Sequence, residues 1–466
     1  MSACPPLTSA LGAFISKVRF SDLPDPVRGR IGVAFADAVG VMIAGANDPA
    51  PQLLLGVLTP AGAESSIVGG RRGSAMAAAW INGAAAHALD FDDSARRGGH
   101  MGAVLVPAIL AEAEAIGATG AQMAAAYAAG FETMSELVLR DPGEHHVKGW
   151  HPTGVFGAVA AAAACASLRQ LDPLQSSMAI AIGASRSAGL IANVGTMTKP
   201  LHAGNAAHTG VVSARLAGAG FTAADDAFEH SPGFLTAFSP ADTIDVHTPV
   251  RAGREWRLCG GNRVGTKQYP LCYYTHRAID GMLDLLQKDP ISATQIERIS
   301  INMSPRNATV LRYQLPQTGL EAKFSVQFAL ACSVIAGRPG LTELTTEFVT
   351  RGDVQALMKR IVVNRDDRDD PDLPGYAVYD QVAIDTLDGR RIEGPRVNKV
   401  RGGPDLPLSR AAVWAKFDDC LRYGGVEGAA ELFEMLSSLD RIADVGELAR
   451  RIFSTHPTQP NLRRFS

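Results

Sequence analysis

The chain has 466 residues, of which 46% are hydrophobic, and a formal net charge of −3 at pH 7. That length holds two to four domains with sizeable cores. The near-neutral balance argues against a nucleic-acid or anionic-membrane partner, and apolar runs such as AVAAAAACASL (158–168) are too short to span a bilayer.

The opening MSACPPLTSALGAFISKVRF places no basic region ahead of an apolar stretch, so no secretory leader is expected and a cytoplasmic protein is. The six cysteines, at 4, 165, 259, 272, 332 and 420, form no CxxC pair and no zinc spacing. They read as reduced thiols, most of them packed in the core.

Up to about residue 240 the chain reads as helix. Ala-rich segments recur at 74–89, 102–117, 120–140, 153–171, 176–192 and 203–220. Alanine has the strongest helix propensity, and segments that are apolar nearly all round are buried ones. GATGAQM, LDPLQSS and GFTAADDAF punctuate them as loops and N-caps. No fixed-period repeat runs through this half, which argues against a solenoid.

Near residue 290 the pattern changes. IERISINMS (296–304) alternates like a half-buried strand, and YAVYDQVAIDTLDGRRIEGP (376–395) reads as two strands joined at an Asp-Gly turn. Between them, 324–337 and 345–361 read as helices, and 409–453 is helical again. The expectation is a mainly α protein: a large all-helical domain of residues 1–265 plus 401–466, and a smaller α+β domain at 266–400.

Four stretches carry chemistry. In GTMTKPLHAGNAAHTG (195–210), Lys199 precedes Pro200. A residue before proline avoids the α region, and proline favours the first helical position. Lys199 is therefore expected in extended backbone at the mouth of a helix running from Pro200 to about Leu216. A cation is poorly placed at that positive dipole end, which points to a lysine that meets an anion or acts as a base. GWHPTGVFG (149–157) sets His151 before Pro152 in the same way. KQYPLCYYTHRAID (267–280) sets Pro270 at another expected helix start, with Lys267 just before it and Cys272 in its first turn as a candidate reactive thiolate. HALDFDDSARRGGH (87–100) gathers His87, Asp90, Asp92, Asp93, Ser94 and His100. Together these groups suit proton transfer on a small anionic substrate.

Other motifs are absent. No phosphate loop, GxGxxG after a strand, HExxH or nucleophile elbow occurs. EHHVKGWH (144–151) offers His145, His146 and His151 to a metal, but without clean helical spacing, so no metal is expected.

The blocks NGAAAHALDFDDS, GWHPTGVFGAVAAAAA, GTMTKPLHAGNAAHTG, KQYPLCYYTHRAID and EAKFSVQFALA occur in this order. In that order the chain resembles the MmgE/PrpD family, whose members include 2-methylcitrate dehydratase, cis-aconitate decarboxylase and iminodisuccinate epimerase. The resemblance covers about residues 10–450. It implies a helical domain built from both chain ends, an α+β lid, a homodimer, a small di- or tricarboxylate substrate bound between the domains, no metal and no organic cofactor. By position it implies active-site roles for Asp93, His100, His151, Lys199 and Lys267.

Two departures bear on the reaction. The decarboxylase-like pattern has a histidine five residues after the lid lysine, where this chain has Cys272, and its acidic block continues differently from DDSARRGGHMG. An amine, an imidazole, a second amine and a thiol can remove a proton from one face of a carbon and return one to the other. The leading expectation is thus a cofactor-independent epimerase of an iminodisuccinate-type amino-dicarboxylate. Lys199 or His151 would serve one face and Lys267 with Cys272 the other, with Asp93 and His100 orienting them. A dehydratase of the 2-methylcitrate type is the second expectation and a cis-aconitate-type decarboxylase the third. A non-catalytic helical binding or scaffold protein is the alternative of another class.

Overall fold

The computed structural model describes residues 6–95, 97–240, 243–260, 264–371 and 373–453. The chain divides into two compact units. The first comprises Met1–Asn193, Met197–Thr266 and Ser409–Ser466, and the second Val194–Thr196 and Lys267–Leu408. The architecture is mainly helical, with small sheets. Among the described residues no single helix is long and apolar enough to cross a membrane.

The first unit contains α1 (Leu7–Lys17), α2 (Asp25–Gly45), α3 (Pro49–Leu58), α4 (Ala75–Ala88), α5 (Gly102–Ile116), α6 (Gly120–Leu139), α7 (Pro152–Leu168), α8 (Pro173–Ser185), α9 (Thr198–Gly218) and α10 (Phe234–Phe238). After the second unit the chain returns with α17 (Arg410–Tyr423), α18 (Ala429–Ser437) and α19 (Val445–Phe453). Side-chain caps start many of these helices. Ser74, Thr119, Asp172 and Ser409 each accept a first-turn backbone N–H, and Thr119 with Gln122 and Asp172 with Gln175 complete capping boxes. The alanines of α7 are fully buried, because small side chains let neighbouring helices approach on every side. α4 and α9 approach closely where Gly83 meets Gly204. A Cβ on Gly204 would lie 2.2 Å from the Trp80 carbonyl oxygen.

Two short pairings interrupt this helical half. β1 (Ser65–Ile67) and β2 (Arg71–Gly73) form an antiparallel hairpin. Its turn uses Gly69 and Gly70, both at positive φ, a Gly-Gly signal that the helical reading passed over. β3 (Ser94–Ala95) pairs with β4 (Val264–Gly265), tying the acidic loop to the end of the long segment after α9.

That long segment is docked by α6. Arg140 exchanges backbone and side-chain bonds with Asp245, Glu136 accepts the Arg251 N–H at 2.8 Å, and Glu132 accepts those of Arg257 and Leu258 at 2.9 and 3.1 Å. Burial raises the Glu132 carboxyl to about 7, assisted by Glu136 and opposed by the two backbone N–H groups. A carboxyl raised on folding binds its proton more tightly in the native state, so its contribution to stability falls as pH rises from the unfolded value through 7. For Glu132 the loss is about 3 kcal/mol. Denaturant unfolding between pH 4.5 and 8 is expected to show this decline, and Glu132→Gln to flatten it.

The second unit has α11 (His276–Lys288), α12 (Pro305–Val310), α13 (Gly319–Ala322), α14 (Val326–Ala336), α15 (Thr346–Val349) and α16 (Gly352–Met358). Its strands are β5 (Ile296–Met303), β6 (Ile361–Arg365), β7 (Asp369–Asp370), β8 (Leu373–Ala377), β9 (Gln381–Thr386) and β10 (Arg391–Glu393). Four of them form a sheet in the order β10–β9–β5–β6, and β7 pairs with β8. β5 and β6 run parallel, and β9 and β10 form the expected hairpin, with Gly389 at φ 82° in its turn. Ile299, Ile301, Val382 and Ile384 are fully buried, so one face of the sheet is core. The single helix expected over 345–361 is instead α15, α16 and the start of β6, because Arg351 adopts extended backbone between the two helical turns.

Candidate active site

The site of the first unit forms where α4 ends. The helix stops at Ala88, and Asp90 takes a left-handed conformation at φ 51°, a region that aspartate tolerates better than bulkier side chains. Its carboxylate makes an ion pair with Lys199. Lys199 is not in extended backbone ahead of its helix: α9 begins at Thr198, so Lys199 is its second residue and Pro200 its third. Proline is tolerated there because the first-turn N–H groups have no intrahelical acceptor. The Gly83–Gly204 crossing brings Lys199 Nζ to 2.9 Å from His87 Nε2.

His87 Nδ1 lies 3.0 and 2.9 Å from the two oxygens of Asp92. Burial, opposed by Asp92 and reinforced by the Lys199 charge, pushes the His87 imidazole down to about 3. A neutral His87 that donates from Nδ1 to Asp92 and accepts at Nε2 from Lys199 satisfies both contacts. Asp92, His87, Lys199 and Asp90 thus form one buried chain of proton donors and acceptors. Burial opposes charge on Asp92, yet His87 and His100 outweigh it and hold this carboxyl well below the usual range.

His100 Nδ1 donates to the Asp93 carbonyl oxygen at 2.6 Å and lies 3.3 Å from Asp92. It is the backbone of Asp93, not its carboxyl, that orients His100. The Asp93 carboxyl accepts the Gly102 N–H at the start of α5 at 2.9 and 3.1 Å. Burial, then the neighbouring Asp92 and Asp37, raise it well above the carboxylate range, with Gly102 and Lys416 opposing.

His151 takes the expected place, in extended backbone immediately before Pro152 at the mouth of α7. Its ring stacks on His87 at 5.8 Å, and its Nδ1 lies 3.1 Å from His202 Nδ1. Burial and then the Lys199 charge lower His151 well below its ordinary value, and the same two causes lower His202 to about 4. His202 was not among the expected site residues. Its signal was its position three residues after Lys199, on the same face of the helix.

The structure therefore brings together Asp93, His100, His151 and Lys199, and adds His87, Asp90, Asp92 and His202. Lys267 and Cys272 belong to the second unit. Lys267 is fully buried. Cys272 is not in the first turn of a helix: it precedes the short 3-10 turn Tyr273–Thr275, and α11 begins only at His276. The Cys272 N–H donates to the Lys323 carbonyl oxygen, and its own carbonyl accepts from Thr275. Cys272 thus caps the start of a helical stretch instead of lying inside its first turn.

His87, Asp92 and His100 offer three possible metal-ligand atoms within 4.8 Å of one another. Their mutual contacts are those of hydrogen-bonded partners, and the Asp93 carbonyl already engages His100 Nδ1. In the EHHVKGWH stretch, His145 pairs with Asp141 and His146 with Glu144, while His151 alone joins the imidazole cluster. A buried lysine beside the imidazoles of His87, His151 and His202, all lowered by burial, suits an anionic substrate and proton transfer to or from it.

Cis-aconitate decarboxylase of Mus musculus is 26% identical over 354 residues, covering 73% of this chain and 70% of that protein. The human cis-aconitate decarboxylase is 25% identical over 379 residues, covering 78% and 77%. That of Aspergillus terreus is 23% identical over 473 residues, covering 95% of each. Residues 9–247 match the MmgE/PrpD N-terminal domain and residues 269–440 the MmgE/PrpD C-terminal domain. With both halves matched in order across most of its length, the chain belongs to the MmgE/PrpD family.

Proposed function

We propose that this protein is a lyase that decarboxylates a small unsaturated tricarboxylate of the cis-aconitate type. The observation that carries the reading is the buried Lys199, ion-paired to Asp90 and bonded to neutral His87 within a cluster of imidazoles. The names of the relatives point to the same reaction class. The epimerase expectation gives way to this reading, because those relatives are decarboxylases.

The chemistry balances with side chains alone. A carboxylate on the carbon next to the double bond leaves as carbon dioxide, and the electron pair of the broken C–C bond moves into the allylic system. The double bond shifts to the carbon that lost the carboxylate. The far carbon takes a proton from the Lys199 ammonium, whose charge stabilises the developing enolate-like anion. His87 and Asp90 hold that ammonium in place, and the histidines return a proton from solvent.

Proton NMR in D2O with cis-aconitate, 2-methylcitrate and iminodisuccinate tests the proposal. The expected result is carbon dioxide release from cis-aconitate, with terminal methylene signals and one deuterium at the newly saturated carbon. Interconversion of stereoisomers without loss of carbon dioxide would restore the epimerase. Loss of water alone would make the protein a dehydratase.

A further inference from the structure

We infer that Lys416, contributed by the returning C-terminal segment, is a positioning residue that together with Asp37 sets the acidic loop of the active site; the inference rests on the lyase reading for its effect on turnover. Lys416 lies on α17 and Asp37 on α2, and both side chains are almost fully buried. Lys416 Nζ lies 2.5 Å from Asp37 Oδ1, donates to the Phe91 carbonyl oxygen at 2.6 Å, and sits 4.0 Å from the centre of the Phe91 ring.

Phe91 stands between Asp90 and Asp92, the counter-ion of Lys199 and the acceptor of His87. One ammonium thus holds the backbone of the loop from which both functional carboxylates project. Hydrogen bonding to a carbonyl fixes position without entering the chemistry, and the same ammonium over the Phe91 ring adds a second hold on that residue. Asp37 is the counter-charge that makes a buried lysine tolerable there. Lys416 is far from Lys199 in sequence, and no motif marks it. Its role follows only from the contact with Phe91.

The test uses Asp37→Leu with Lys416→Met, because removing both charges avoids leaving one buried and unpaired. Lys416→Arg is the conservative control. Two readouts are needed: steady-state kinetics on cis-aconitate, and NMR of 15N-histidine-labelled protein, following the His87 Nδ1 proton held by Asp92. The double variant is expected to melt close to the wild type, to lose the slowly exchanging His87 signal, and to lose kcat by about 10–100-fold with KM little changed. Lys416→Arg is expected to retain part of both. An unchanged His87 signal in the double variant overturns the inference, as does a lost signal with full kcat. A wild type that shows no turnover, with the His87 signal still lost in the double variant, supports the positioning role and counts against the lyase reading.

Discussion

Lys199→Met is expected to reduce turnover by about 10²–10⁴-fold, the usual worth of a positioned proton-transfer group. It is also expected to lower stability by about 3–5 kcal/mol, because it leaves Asp90 as a buried carboxylate without its cation. The two effects separate in the double variant with Asp90→Asn. That change removes the orphaned charge while keeping a side chain that tolerates the left-handed backbone at φ 51°. Stability measured by denaturant unfolding is expected to recover in the double variant, and kcat is not. A Lys199→Met protein with near-normal kcat would remove Lys199 from the chemistry.

Gly204→Ala is expected to act on the same contact from a distance. A Cβ at Gly204 meets the Trp80 carbonyl oxygen at 2.2 Å and the Ala84 nitrogen at 3.0 Å, both backbone atoms of α4. Neither can rotate aside, so the helices must separate. Overpacking of this kind costs about 1–3 kcal/mol. The functional cost is larger: α4 carries His87 and α9 carries Lys199, and a shift of about 1 Å between reacting groups can cost 10²-fold in rate. Thermal melting and kcat measured on the same preparation check both. A variant that loses stability but keeps kcat would show that the 2.9 Å contact between His87 and Lys199 does not need this crossing.

The helical half was readable because alanine propensity and N-cap residues act locally, and α7 starts where Pro152 and His151 place it. The β9–β10 hairpin was readable from Asp388-Gly389 for the same reason. Lys199 was found by its chemistry, yet its backbone was misjudged: local preference before proline yielded to a first turn that α9 extends to Thr198. Cys272 caps its helical stretch instead of lying in the first turn, because the spacing after Pro270 did not reveal that the stretch starts with a 3-10 turn at Tyr273. His87, Asp90 and Asp92 were visible as a cluster, but spacing could not tell which carboxylate meets Lys199 and which carboxyl stays uncharged. Those choices depend on burial and on partners from distant helices, as with Asp93 beside Asp37.

The placement of Lys416 has a consequence for the nascent chain. A polypeptide that has left the ribosome only as far as Leu408 already contains every imidazole and carboxylate of the cluster, yet Asp37 lacks the ammonium that faces it in the finished fold. The acidic loop can gain its contact with Lys416 only after the whole of the second unit has been synthesised, because the two are 325 residues apart in sequence. Such late, non-local closure is slow compared with helix formation. Acquisition of activity should therefore lag behind acquisition of helical content when the protein refolds.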